Sequence, residues 1–373
     1  MSTFTSPSTN GKNGTTNRTM NGTMSGTMNG TMNGTKNRPR HGSGNTRTTE
    51  VARRPRLSGM TWLVWRQHRA AFWTILAATV LCVAWMVYQR GQLMDFLDSY
   101  GFPAKNLDDA GKRFDPYIGA FSSVTTGLTA IPVILGVLLG APLLAGDLEN
   151  GTAKLIAAQS VSRNRWLATK LALTGLVVVV STVTLSAVFA WWWSPIKLDY
   201  VDIDWSSREF FNTTGPVPVA LSLLCVFGGV LIGVILRRTL VAMVVTLGFA
   251  VAVQTVWGYF KLSLGDIVTA TTKPVSPGTP ITFPSSVPRT AHVLDTSYVS
   301  GSGKHFDLTT CTDTLSEAAT TSCMKKADIV GASIDYIPIS QMSSMQWLGA
   351  SILFALTAGI VAFLFIWGRK RLV

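Results

Sequence analysis

Six apolar stretches of about 20 residues constrain this 373-residue chain more than any other feature of its sequence. A run of that length with almost no charge is what a helix needs to cross a hydrocarbon layer of about 30 Å. In lipid every backbone N–H and C=O must be satisfied internally, which leaves helices or closed barrels. Continuous apolar runs without polar alternation select helices. The runs fall at about 71–88, 120–145, 171–193, 216–236, 240–259 and 347–367. Arg237 and Arg238 make the fourth and fifth runs separate helices. Each arginine at a helix centre would cost about 2.5–3.5 kcal/mol on the insertion scale. Pro132 and Pro142 lie in the second run, where neighbouring helices must satisfy the freed carbonyls. The predicted fold is an all-α integral membrane protein with six transmembrane helices and a small mixed or irregular cap between the last two.

Composition agrees. The chain is 47% hydrophobic and only 14% charged, with a mean hydropathy of +0.31. The net charge is +13, and its placement orients the chain. Residues 1–70 hold eleven Lys/Arg against one acid, Glu50, and Arg369, Lys370 and Arg371 close the sequence. Both basic ends flank apolar spans, so membrane topology and lipid headgroups account for them better than nucleic acid does. An even number of spans puts both termini, the connection 146–170 and the Arg237 turn on one face. The loops of the other face carry sixteen acids against twelve bases. The positive-inside rule makes the basic face cytoplasmic and the 260–346 segment extracellular.

Residues 1–59 form a basic low-complexity tail expected to remain disordered, since NGTMSGTMNGTMNGT has no apolar periodicity. Its Asn-Gly-Thr sequons are a by-product of the repeat, no signal-peptide h-region is present, and Met60 is a credible alternative start. The membrane domain then occupies 60–259, the cap 260–346, and the last helix with its basic tail 347–373. The cap is rich in Thr, Ser and Pro, with β-like runs ITF and ADIVGASI. Cys82 and Cys225 sit in apolar runs and read as packing residues. Cys311 and Cys323 share one outer loop, where a disulfide persists and would contribute about 3 kcal/mol. Two free thiols are the alternative.

Catalytic signatures are scarce. His41, His68, His292 and His305 lack the i, i+4 partners of a metal site, and no nucleophile elbow appears. GSGKHF places His305 where a phosphate loop needs Ser or Thr, and the glycine spacing at Gly146 and Gly151 is followed by Thr152 instead of lysine. No ATP site of that kind is expected on this chain, and no cofactor. The spans show only Gln254 and scattered Ser/Thr, among them Ser122, Ser123, Thr129, Thr174, Ser181 and Thr182. These are expected to hydrogen-bond between helices, with a substrate path as the alternative. Gly136/Gly140 and Gly229/Gly233 form GxxxG pairs suited to close helix packing. The triplet Trp191, Trp192, Trp193 reads as a headgroup belt.

The connection 146–170 is the most informative polar segment. Its middle, 152–159, suits a short helix started by Thr152, and a basic turn follows over 160–165. Glu149 is available to a basic partner surface, while Trp166 and Lys170 read as anchors near the headgroups, like Trp62, Trp65 and Arg66 before the first span. An ordinary cytoplasmic loop explains the same residues.

Glu149, Gly151, Thr152, Gln159, Ser160, Val161, Ser162, Arg163, Arg165, Trp166, Leu167 and Lys170 resemble the E-x-G-T … Q-S-V-[ST]-R-x-R-W-L-x-x-K segment of actinobacterial ABC-2-type transporter permeases. Trp62, Leu63, Trp65, Arg66, Gln67 and Arg69 are similar to that family's approach to its first span, and Tyr336, Pro338, Gln346 and Trp347 to its approach to the last. The resemblance implies a permease subunit of the cell membrane, commonly an exporter, without its own ATPase. It implies pairing with a second copy or a paralogue. It also implies a separate ATP-binding cassette subunit that carries ATP-Mg and grips the bridge through Glu149, Gly151, Thr152, Gln159, Ser160, Ser162, Arg163 and Arg165. Rival readings are a receptor or scaffold acting through its outer segment, and a membrane enzyme.

Overall fold

A computed structural model of the chain describes residues 60–151, 163–198, 200, 204–272, 283–311 and 316–371. Among these, six helices are long and apolar enough to cross a membrane. Helix α1 is Met60–Tyr100, and α2 (Asp115–Leu135) continues through a π turn, Gly136–Gly140, into α3 (Ala141–Glu149) as one second span. Helix α4 is Arg163–Trp193. A short α5 (Arg208–Phe211) precedes α6 (Val217–Leu236), α7 (Thr239–Phe260) forms the fifth span, and α9 (Met342–Arg371) the sixth. Strands β1 (Val268–Thr272), β2 (His292–Ser300), β3 (His305–Asp307) and β4 (Ile329–Ile337), with helix α8 (Glu317–Lys326), build the cap. The expected all-α membrane fold is the one observed, with a small sheet inserted before the last span.

Helix α1 runs well beyond the 71–88 read from hydropathy. Its 41 residues reach about 60 Å at the usual helical rise, twice the hydrocarbon thickness, because a helix does not stop where its lipid contact ends. Phe72, Thr79, Met86 and Leu93, spaced by seven, are buried on one seam, while Trp73, Val80, Leu81 and Trp85 face outward. The seven-residue spacing keeps one stripe of a long helix against a partner, here α4.

Helix α6 is the hub, packed by α2, α3, α4, α7 and α9. Its contact with the second span is made by the two GxxxG pairs facing each other. A Cβ on Gly136 would lie 3.0 Å from the Cys225 carbonyl, and one on Gly140 would strike the Val226 backbone. In return, a Cβ on Gly229 would lie 2.8 Å from the Gly136 carbonyl, and one on Gly233 would strike that of Ala141. Backbones this close need glycine on both sides. The π turn sits at this crossing, between Pro132 and Pro142, where helix geometry is already perturbed.

Two expectations are corrected. Only Trp191 of the Trp triplet is exposed; Trp192 and Trp193 are buried, Trp192 stacking on Phe121 at 4.2 Å between ring centroids. Three consecutive helical residues point in three directions, so they cannot share one belt. Most of the Ser/Thr hydroxyls bond within their own helices: Thr126 to the Ser122 carbonyl, Thr129 to Thr125 and Thr182 to Val178. The carbonyl one turn back is nearer than any neighbouring helix. Ser186 does cross, to the Gly215 carbonyl at 3.0 Å.

The cap is a four-stranded antiparallel sheet in the order β1-β4-β2-β3. The run ADIVGASI supplies most of β4, whereas ITF falls largely outside the described residues. Gln341, at the foot of α9, holds the Asp266 backbone by two bonds: it accepts from the Asp266 amide at 2.8 Å and donates to its carbonyl at 3.0 Å. Trp205 donates to the Thr290 carbonyl at 2.9 Å and Ser206 meets His292 at 2.7 Å, docking the loop before α5 on the sheet. Cys311 and Cys323 are joined as a disulfide between a 3-10 turn and α8. Beside it, the Thr309 hydroxyl and amide bind Asp307 and hold its carboxyl below the usual carboxylate range.

Candidate functional site

The bridge 146–170 leaves the bundle at the end of α3 and returns at the start of α4. Helix α3 ends at Glu149, and Gly151 turns the chain with φ +69°, a conformation that favours glycine. Residues 152–162 lie outside the described set, and with them the expected helix 152–159 and the candidates Thr152, Gln159, Ser160 and Ser162. Arg163 opens α4, and Arg165 is exposed on its first turn.

The two feet of the bridge are locked together. Lys170 forms an ion pair with Asp147 inside the bundle, and its ammonium also donates to the Leu143 carbonyl at 3.2 Å. It stands 5.0 Å above the Trp166 ring. The second oxygen of Asp147 accepts from Gln67 of α1 at 2.8 Å. Lys170 is fully buried and Asp147 nearly so, its side chain 8% exposed, so the pair is largely shielded from solvent. A buried ion is tolerated only with an opposite charge and further hydrogen bonds, and this pair has both. Three spans therefore meet at one carboxylate.

Glu149 makes a second tie. One carboxylate oxygen accepts from the Thr239 amide at 2.9 Å and from its hydroxyl at 2.6 Å. Thr239 is the first residue of α7, after Arg237 in a left-handed cap and Arg238 in an extended one. Helix N-termini leave amides unpaired and carry partial positive charge, so a carboxylate there is stabilising. Glu149 thus caps a neighbouring span, a use of the residue that the sequence reading did not foresee.

The anchoring residues divide. Trp62 and Arg66 stay on the surface, the guanidinium 5.2 Å over the indole, while Trp65 packs on Phe72 at 5.4 Å. Trp166 and Lys170, read as headgroup anchors, are instead buried in the bundle, Trp166 among Leu143, Leu171, Val230 and Leu364. The helix-end position read from sequence is right, but both side chains face inward around α4. Asp147, Gln67 and Thr239 were not singled out at all. The signal available was an acid and a base at opposite ends of one connection.

The phosphate-loop decoys lack their structural context. Gly146 lies within α3 and Gly151 just beyond its end, whereas the glycines of a phosphate cradle belong to a loop. GSGKHF forms the β2–β3 turn, with Lys304 lying over Phe306 at 5.1 Å. Among the described residues no cluster of His, Cys, Asp or Glu could hold a metal ion.

Residues 76–261, covering the second to fifth spans, most of the first and the bridge, match the family model described as ABC-2 membrane transporter related. The chain belongs to the ABC-2 membrane transporter related family. No curated protein and no solved structure matches it. An ABC-2 chain is the membrane permease of an ABC transporter, a multi-pass component of the cytoplasmic membrane that works with an ATPase partner. In this ABC-2 permease the locked feet of the bridge lie within the matched region, and the cap lies beyond it.

Proposed function

We propose that this permease is an exporter driven in trans, and that the bridge 146–170 is the handle gripped by a separate ATP-binding cassette subunit carrying ATP-Mg. The observation that carries the reading is the buried Asp147–Lys170 pair. A handle must pass displacement into the spans without bending at its base. Here its two feet are fixed to each other, to α1 through Gln67 and to α7 through Glu149. A push on the bridge therefore moves the first, second, third and fifth spans together. The charge distribution supports a cytoplasmic placement for the bridge, the Arg237 turn and both termini. Pairing with a second copy or a paralogue would complete the pathway.

Co-purification with a cassette ATPase, followed by Arg163→Ala, Arg165→Ala and Lys170→Met, tests this. The arginine variants should weaken ATPase binding. Lys170→Met should keep binding but uncouple ATP hydrolysis from movement of the spans. Retention of both properties in all three variants removes the assignment.

A further inference from the structure

On the cap side of the bundle, the loop before α5 meets the first residues of β2 in a polar clasp. Asp204 holds Ser206 twice, its two carboxylate oxygens accepting from the Ser206 amide at 2.8 Å and from its hydroxyl at 2.9 Å. The same hydroxyl oxygen lies 2.7 Å from Nδ1 of His292. Beneath them the Lys261 ammonium donates to the Ser206 carbonyl and stands 5.4 Å from the Phe211 ring. Ser206 and Lys261 are buried, whereas the side chains of His292 and Asp204 are 25% and 51% exposed. Solvent protons therefore reach the imidazole.

An ionised carboxylate only accepts hydrogen bonds, so the single Ser206 hydroxyl proton belongs to Asp204. The Ser206 oxygen must then accept from His292, which requires a proton on Nδ1. Neutral imidazole carries that proton in one of its two tautomers, and imidazolium always carries it. Imidazolium also places a positive charge 3.6 Å from an Asp204 oxygen. Both effects favour the protonated ring. The other charges on the surrounding elements nearly cancel: Lys261, Arg208 and Arg289 are basic, while Glu209, Asp295 and Asp108 are acidic. Ile337, the partner of His292 on β4, is apolar. Asp204, the carboxylate in contact, sets the sign.

We propose that His292 makes this clasp proton-sensitive: protonated, it holds the cap on the loop before α5, and neutral, it loosens that hold. The clasp joins elements that lead to different spans. Its loop continues through α5 into the hub helix α6, and Lys261 caps the end of α7. Strand β2 pairs with β4, which runs on into α9. Acid therefore ties the cap-side ends of the fourth, fifth and sixth spans together, and alkali frees the sheet from the hub. The device stands on the clasp alone and assumes nothing about cargo. That it senses the medium outside the cell rests on the charge topology.

The test uses the full chain in lipid nanodiscs and amide hydrogen exchange at about pH 5.5 and about pH 8, the interval in which histidine ordinarily changes charge. After correction for the intrinsic pH dependence of exchange, residues 204–212 and 290–297 should be about two- to five-fold better protected at the lower pH, the worth of a partly exposed ion pair. His292→Gln, which keeps an amide donor for Ser206 without a titrating charge, should make their protection independent of pH. Asp204→Asn should remove most of the response from the other side of the pair, and decides the matter if His292→Gln fails to fold. His305→Gln removes a histidine bonded to Ser297 on the neighbouring hairpin and should leave the response intact. No response in the unaltered chain, a response of opposite sign, or one that survives in both His292→Gln and Asp204→Asn overturns the proposal. So does a response lost in His305→Gln, which would move the sensor to the hairpin, or one spread equally over α8, which would report general loosening of the cap.

Discussion

Lys170 and Asp147, 23 residues apart, close the bridge at its base as a buried ion pair. Removing one partner leaves the other charged and unpaired inside the bundle, so Lys170→Met or Asp147→Leu should each destabilise by about 3–5 kcal/mol. The double variant replaces both charges with apolar groups and should recover most of that loss. Thermal unfolding in nanodiscs measures all three. Equal losses in the singles and the double would show that the two charges do not act as a pair.

Glu149 caps α7 from another span, so Glu149→Ala should speed hydrogen exchange in the first turn of α7. Thr239→Val, which keeps the amide bond to Glu149 and loses the hydroxyl, should have a smaller effect. Unchanged exchange at 239–242 in Glu149→Ala would rule the cap out.

Gly140 and Gly127 make opposite predictions on one continuous span. Gly140→Ala drives a methyl into the Val226 backbone and should destabilise by about 1–3 kcal/mol. Gly127→Ala meets open space and should stabilise the helix slightly. A loss at Gly127 matching that at Gly140 would contradict the packing described.

Gln346 is buried, and its amide donates to the Phe211 and Thr214 carbonyls at 2.9 and 3.0 Å. Gln346→Leu leaves both carbonyls without that donor and should reduce stability by about 1–3 kcal/mol. Chemical denaturation of the purified protein reads the effect; a neutral substitution would mean that water replaces the amide.

The six spans were legible because lipid imposes a length and an absence of charge that no tertiary contact is needed to read. The Arg237–Arg238 break was legible for the same reason. What hydropathy does not carry is direction around a helix. Trp192 and Trp193 looked like belt residues and Trp166 like an anchor, yet each turns into the bundle because of what packs beside it. Likewise Asp147 and Lys170 are near the ends of two different spans, and only the folded arrangement of α3 and α4 brings them into contact. The reciprocal glycine crossing was legible as two motifs but not as one contact. The central cap strand was legible, while the sheet order was not, since it depends on pairings distant in sequence.

At the opposite end of the molecule, β1 follows the fifth span, β4 leads into the sixth, and the two strands are hydrogen-bonded neighbours. The double bond between Gln341 and Asp266 sits where that pairing meets the helices. The sheet therefore splints the cap-side ends of these two spans to each other. Whatever rearrangement carries a molecule across, the fifth and sixth spans start and finish it side by side, and a gate on that side has to form along some other seam.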